Sequence, residues 1–393
     1  MAKYIFVANI GERDLQIEVN GTPYLLNGQP AVGFGDSKSL PDFLKQCFGE
    51  TPQNFAVRHL GQWLLDKLTL VDQEKAEMFF DAVKCPILQP ALTEALKHCE
   101  RLDAVYLYGT NQPESVPKFH RDRDTYWAAQ LIAKWLRRHF GDYLECVEVI
   151  GEHEERQIPT RWDEAYRLMA EKLRTKLMES EHVFAAISAG IPSINFGLQQ
   201  VVLGICGRKA TLIQVVEIPR MPSQVVLLDT WALWGDRLLR QIQLLLQDYD
   251  YSAALNLLES EVPEEQHSGE IEKVFAAIRH AHARLNFDFD QALKELEPYK
   301  NQEPMSNWLK TARHKTLLER AEEAINCLEA FRRTKRLMPF IILADALVET
   351  LTRIAAEKVM PSLKNSYVDE KGQRLSNPFV PRRFTRLIST SPL

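Results

Sequence analysis

Four short apolar runs, each closed by a turn rich in glycine or polar residues, set the tightest limit on what this chain can fold into. They are Tyr4 to Ile10 before Gly-Glu-Arg-Asp, Ala104 to Tyr108 before Gly-Thr-Asn-Gln, Cys146 to Ile150 before Gly-Glu-His, and Val183 to Ser188 before Ala-Gly-Ile-Pro. A fifth run, Ala210 to Glu217, closes the set and can pair with Gln224 to Leu228 as a hairpin. Amphipathic stretches separate them. Trp127, Ala128, Leu131, Ile132, Trp135 and Leu136 repeat at three- and four-residue spacing behind an Asp124-Thr125 cap. Trp162, Ala165, Met169, Leu173 and Leu177 trace a second stripe, and Ile194 to Ile205 is apolar enough to be a buried third helix. Strands alternating with helices predict an α/β domain with a parallel sheet over residues 1–228. Gly21 to Ala56 is the least regular part and is expected to hold a hairpin or long loop.

After Asp229 the pattern becomes continuously helical, which predicts an all-α domain over 229–360. An Ala- and Leu-rich motif recurs there at Asp250 to Glu259, Phe289 to Glu297 and Arg320 to Glu329. That recurrence suits stacked two-helix repeats and an irregular bundle equally. Residues 361–393 form a tail with six basic and two acidic side chains, on a chain whose net charge is -5. An acidic body argues against a general nucleic-acid coat, because such binding is driven by phosphate neutralisation; the basic tail keeps RNA contact through the C-terminal half open. No apolar run is long enough to span a bilayer. The six cysteines form no CxxC pair and the ten histidines do not cluster, so neither a disulfide framework nor a metal site is expected. A cytoplasmic protein without membrane contact follows as the expectation.

Three turns carry the candidate chemistry. Ser188-Ala189-Gly190-Ile191-Pro192-Ser193-Ile194-Asn195 runs from a strand into a helix, with a glycine for close backbone approach and a proline suited to the first helical turn. Amides at such a helix start form an anion site. Asn9-Ile10-Gly11-Glu12-Arg13-Asp14 and Gly109-Thr110-Asn111-Gln112 follow strands that would end on the same sheet edge. With Lys118, His120, Arg121 and Arg123 beside them, the three turns favour a nucleotide-like ligand; each alone is also an ordinary solvated loop.

The N-x-G-x-R-D turn, the Y-G-T-N-Q turn, the downstream D-T helix and the S-A-G-I-P-S-I-N turn together resemble the CARF domain, the cyclic-oligoadenylate sensor of type III CRISPR systems. The family usually has S-G-G-T-P-x-M-N at the last position, so Ala189, Ile191 and Ile194 depart from it. The resemblance implies a Rossmann-like domain that pairs as a homodimer and binds a cyclic oligoadenylate across the two-fold cleft. No other cofactor is implied. The residues that would line the cleft are Asn9, Gly11, Arg13, Asp14, Thr110, Asn111, Ser188, Ala189, Gly190, Ile191, Pro192, Ser193 and Asn195.

The helical half is similar in size and style to that of CARF-HEPN ribonucleases, but none of the ten histidines has an arginine at the R-x4–6-H spacing those enzymes use. Arg279-His280 and Arg313-His314 are adjacent and read as surface charge; Trp231, Trp234 and Trp308 read as core. Catalytic residues are therefore unassigned. Four readings stand: a sensor with a degenerate effector, a ring nuclease using Arg13, Thr110, Ser188 and Ser193, a ribonuclease with a non-standard site, or a helical-repeat scaffold.

Overall fold

The computed structural model describes residues 3–31, 36, 38–151, 158–217, 223–262, 269–312 and 317–359. The chain divides into two compact units, Met1–Asp236 and Arg237–Leu393. The tail expected at 361–393 lies outside the described residues.

The first unit is built on a six-stranded sheet. Its strands are β1 (Tyr4–Asn9), β5 (Ala104–Tyr108), β6 (Val147–Val149), β7 (His182–Ala186), β8 (Ala210–Val216) and β9 (Gln224–Leu228), in the order β6-β5-β1-β7-β8-β9. All neighbours are parallel except β9, which returns antiparallel along β8. The expected strands are all present, and the α/β Rossmann-like class is borne out. A smaller antiparallel sheet holds β2 (Gln16–Val19) between β3 (Thr22–Leu25) and β4 (Val83–Lys84). Asn20 and Gly21, both at positive φ, make its two-residue hairpin turn.

Side-chain alternation explains why both faces of the main sheet are covered. On β1, Phe6 and Ala8 pack on one face, under α1 (Ser39–Phe48), α2 (Val57–Leu68), α3 (Gln73–Ala82), α4 (Leu88–Ala95) and α6 (Tyr126–Phe140). Ile5 and Val7 pack on the other, under α7 (Trp162–Leu177) and α8 (Pro192–Cys206). A short helix, α5 (Lys118–Arg121), precedes α6. The chain winds from β1 outward through β5 and β6, then crosses back to β7 on the far side of β1. The strand order therefore reverses between β1 and β7, which is where open α/β sheets leave a crevice at the strand ends.

Several sequence expectations need correction. The irregular segment holds the β2–β3 hairpin but also α1, whose Leu40, Leu44 and Cys47 are buried at the three- and four-residue spacing of a helix. Trp162 does not belong to the buried stripe of α7; it is 54% exposed, because it sits in the first turn, before the helix meets the sheet. Thr125 is the N-cap residue of α6 but makes no side-chain cap.

In the second unit, helices follow one another: α9 (Thr230–Gln247), which spans the division between the units, α10 (Tyr251–Glu261), α11 (Gly269–Leu285), α12 (Phe289–Leu296), α13 (Met305–Ala312), α14 (Leu317–Arg333) and α15 (Leu337–Val359). Consecutive helices α10 to α13 pack in series, and α14 packs on α15. One turn recurs three times. After α9, α11 and α14, a residue adopts positive φ (Tyr249, Phe287 and Lys335). Its amide donates to the carbonyl three residues back, and the next amide reaches five back: Asp250 to Leu245, Asp288 to Ala283, Arg336 to Phe331. This is the Schellman arrangement that satisfies carbonyls left open at a helix end. In the first two copies the next residue, Asp250 or Asp288, then caps the following helix through its carboxylate. The first two copies of the motif noticed in the sequence are thus helix starts after a fixed turn, whereas the third, Arg320 to Glu329, lies inside α14. Trp231 and Trp234 are half-buried and Trp308 is 37% exposed, so these tryptophans are not the core they were expected to be.

Lys335 is exposed and pays the left-handed conformation without compensating packing. A non-glycine residue there costs about 1–2 kcal/mol. Lys335→Gly is expected to stabilise the helical unit by about 1 kcal/mol in denaturant unfolding; an unchanged or lower midpoint contradicts the turn geometry.

Candidate functional site

The carboxyl ends of β1, β5 and β7 bring the three candidate turns together around one cleft of about 480 Å³. Its lining includes Gly11, Arg13, Thr110, Ser188, Ala189, Gly190, Ile191 and Pro192, all expected from sequence. It also includes Glu12, Gln112, His120, Arg123, Thr125 and Thr160. Of these, His120 and Arg123 belong to the basic cluster singled out from the sequence.

The floor of the cleft is backbone laid on backbone. A Cβ on Gly11 would stand 2.4 Å from the amide nitrogen of Gly190, and one on Gly190 would stand 2.3 Å from the Asn9 side chain. Gly190 also has φ +77, a conformation other residues rarely adopt. Both glycines are required by the approach of the two loops.

Asn9, Asp14, Ser193 and Asn195 lie behind this floor and hold it. The Asn9 amide donates to the carbonyl of Ala189 at 3.0 Å and to Oδ1 of Asn195 at 2.9 Å, and Asn195 donates to the same carbonyl at 2.8 Å. Two asparagines thus fix the Ala189-Gly190 peptide from below. Ser193 is buried and donates to the carbonyl of Pro159 at 2.6 Å, anchoring the start of α8 to the segment before α7. The Ser188 hydroxyl accepts from the amide of Val215 on β8. Asn111 is fully buried with both side-chain polar atoms unpartnered, and it does not line the cleft.

The hydroxyl of Thr125 has a different task from the capping expected of it. It donates to the carbonyl of Ile10 at 2.8 Å and accepts from the amide of Thr110 at 3.2 Å, joining the loops after β1 and β5. Asp124 accepts from the backbone and side-chain amides of Gln112 at 2.8 and 3.0 Å and meets Arg58 at 3.3 Å. Burial raises the Asp124 pKa, while Gln112, Thr110 and Arg58 oppose the shift. Gln112 keeps one buried side-chain oxygen without a partner at the cleft wall. Its sequence signal was present, because Gln112 closes the Gly-Thr-Asn-Gln turn.

Cationic side chains are available at the rim but already paired. Arg13 meets Glu217 at 2.8 Å, and Arg123 meets Glu12. Both arginines are more than half exposed, so these pairs are weak and exchangeable.

The chain is similar in fold to Csm6 of Enterococcus italicus bound to cyclic hexa-2'-fluoro-hexa-dAMP, with 92% of this chain and 71% of that one covered at TM-score 0.50 and 13% identity. No family model matches the chain, and no curated protein matches it. Among the described residues, no helix is long and apolar enough to cross a membrane, and no group of three or more His, Cys, Asp or Glu side chains could hold a metal ion.

Asp14 gives the site a pH signature. Burial lifts its carboxyl from 3.8 to about 7; the Gly11 amide at 2.7 Å and Arg13 pull it down, and Glu217 pushes it up. The folded chain therefore holds a proton that the unfolded chain has released, and Asp14 makes stability fall as pH rises from about 4 to about 7. Asp14→Asn keeps an acceptor for Gly11 and removes that fall. The variant should melt above the parent at pH 8 and converge with it near pH 4; parallel melting curves across that range contradict the assignment.

Proposed function

We propose that the first unit is a CARF-type sensor that binds a cyclic oligoadenylate in this cleft and relays binding to the helical unit. The observation that carries the reading is the convergence of three strand-end loops on a backbone floor at the β1–β7 reversal, with Gly190 exposed on it. Such a floor offers amide donors at the start of α8, where the helix dipole favours an anion such as a phosphate. The unpartnered Gln112 oxygen suits an amino-group donor, such as that of adenine. The ligand carried by the Enterococcus italicus protein is of this class.

A cleft of about 480 Å³ holds part of such a ring rather than all of it. A symmetric ring is completed by a second copy contributing the same residues about a two-fold axis. Trp162, Tyr166 and Phe196 support pairing, since they are 54%, 43% and 40% exposed. They lie on the first two turns of α7 and α8, and the ring centroids of Trp162 and Phe196 are 5.1 Å apart.

Binding without cleavage is favoured over a ring nuclease by the state of the hydroxyls. Ser193 is committed to Pro159 and Ser188 to Val215, while Thr110 is 3% exposed and tied to Thr125. Of the residues suspected of cleavage, Arg13 alone presents a group with freedom to move. The helical unit keeps no R-x4–6-H spacing, and we read it as a degenerate effector.

The test is to mix the full chain with cyclic tetra-adenylate or cyclic hexa-adenylate and follow binding and ring integrity by chromatography. Saturable micromolar or tighter binding with the ring intact is expected, at one ring per two chains. Arg13→Ala should weaken it about tenfold or more, the scale of a charge-assisted contact. Glu217→Gln should tighten it severalfold by releasing Arg13. Linear products would establish the ring nuclease instead, and failure of both rings to bind would leave the scaffold reading.

A further inference from the structure

The helical unit has a cavity of its own, of about 250 Å³, between α10, α11 and α14. Its wall is largely apolar and aromatic, with Tyr249, Tyr251 and Trp308 facing it. The tyrosine rings stand at 89° to each other with centroids 6.3 Å apart. Asn326 and Trp308 are exposed, so the cavity opens to solvent beside them.

One polar atom in that wall has no structural use. His280, read from sequence as surface charge, is 3% exposed because it follows Ala276 by one helical turn on the buried face of α11. Its Nδ1 lies 2.8 Å from the carbonyl of Ala292, which can only accept, so Nδ1 carries the proton. Burial holds the ring pKa below its usual value, and the imidazole is neutral. Nε2 is then a bare lone pair, buried and unpartnered, on a residue lining the cavity. Leaving such an acceptor unsatisfied costs about 1–3 kcal/mol.

One turn along the same helix, Arg284 lines the cavity too. Its Nε and one terminal nitrogen bond the two oxygens of Glu323 at 2.8 and 2.7 Å, which fixes the guanidinium plane. Burial pushes the nearby Cys327 thiol up to about 12, so it stays protonated and belongs to the lining.

We infer that this cavity binds a single nucleobase whose edge presents an amino donor beside a ring acceptor, as adenine and cytosine do. Nε2 of His280 is closed to solvent, so the amino group reaches it by displacing the wall beside it; the ring nitrogen accepts from Arg284, and the base lies among Tyr249, Tyr251 and Trp308. The volume is below the ~300 Å³ at which drug-sized sites begin, so one ring system is held rather than a whole nucleotide. Base-on-aromatic stacking contributes about 1–3 kcal/mol, so affinity for a free nucleoside is modest. The base can come from a free nucleoside or from a single-stranded RNA. This site is distinct from the strand-end cleft and does not depend on the sensor reading.

The test titrates adenosine, and separately a linear tri-adenylate RNA, into the full chain labelled with 15N-histidine, following the imidazole resonances by NMR. Saturable movement of the His280 Nε2 signal is expected with one or both probes; tighter binding of the RNA assigns the source to a strand. His280→Phe, which keeps the bulk but removes the reporter, and Ala281→Leu, which narrows the cavity, should each weaken binding at least tenfold when followed by isothermal titration calorimetry. Arg13→Ala should leave it unchanged. The inference is overturned if neither probe moves that signal at millimolar concentration. It is also overturned if binding survives both cavity substitutions but is lost with Arg13→Ala, which would place the base in the strand-end cleft. Equal binding of phenol, which lacks the ring-acceptor edge, would likewise overturn the nucleobase assignment.

Discussion

Everything at the strand-end cleft depends on two loops touching through their backbones, Gly11 against Gly190. Side chains at either position would prise the loops apart, and the Ala189-Gly190 peptide would lose the two asparagines that grip it from beneath. The cleft is therefore specified from below, by side-chain amides and hydroxyls with structural partners, while its floor is main chain. In the proposed reading, a ligand would meet a preformed floor and exchangeable ion pairs at the rim. Such a division keeps the cost of ordering on binding low.

The helical unit solves its problem by repetition. Three helix ends close with the same two hydrogen bonds, and in two of them an aspartate immediately restarts the chain. Tyr249 and Phe287 occupy the strained turn position, and both pack against the core of α14 and α15. Packing of the aromatic ring offsets the left-handed backbone. The same arrangement puts Tyr249 and Tyr251 in the lining of a cavity, so a structural repeat also furnishes an aromatic wall.

The sheet was legible because each strand is a compact apolar run stopped by a glycine or polar turn, and the loops to watch followed from where the strands end. What the side chains do in those loops was not legible. Ser193 and Asn195 were picked out as ligand contacts, yet Ser193 reaches back to Pro159 and Asn195 to Ala189, choices set by tertiary packing. Thr125 looked like a helix cap because capping is the local alternative; its bond to Ile10 spans a separation no local pattern encodes. Helix α1 was hidden by the glycines and prolines around it. His280 was misread through its neighbour Arg279, although its spacing from Ala276 and Ala283 placed it on the buried face.

The central claim is that the ligand is recognised on the glycine-lined floor where the sheet reverses. Hydrogen exchange of the full chain, with and without cyclic hexa-adenylate, reads this at the backbone itself. The account predicts slowed exchange confined, within the first unit, to amides in 10–14, 110–112 and 188–194. Slowed exchange elsewhere in that unit with those loops unchanged, under conditions where the ring is bound, would contradict it.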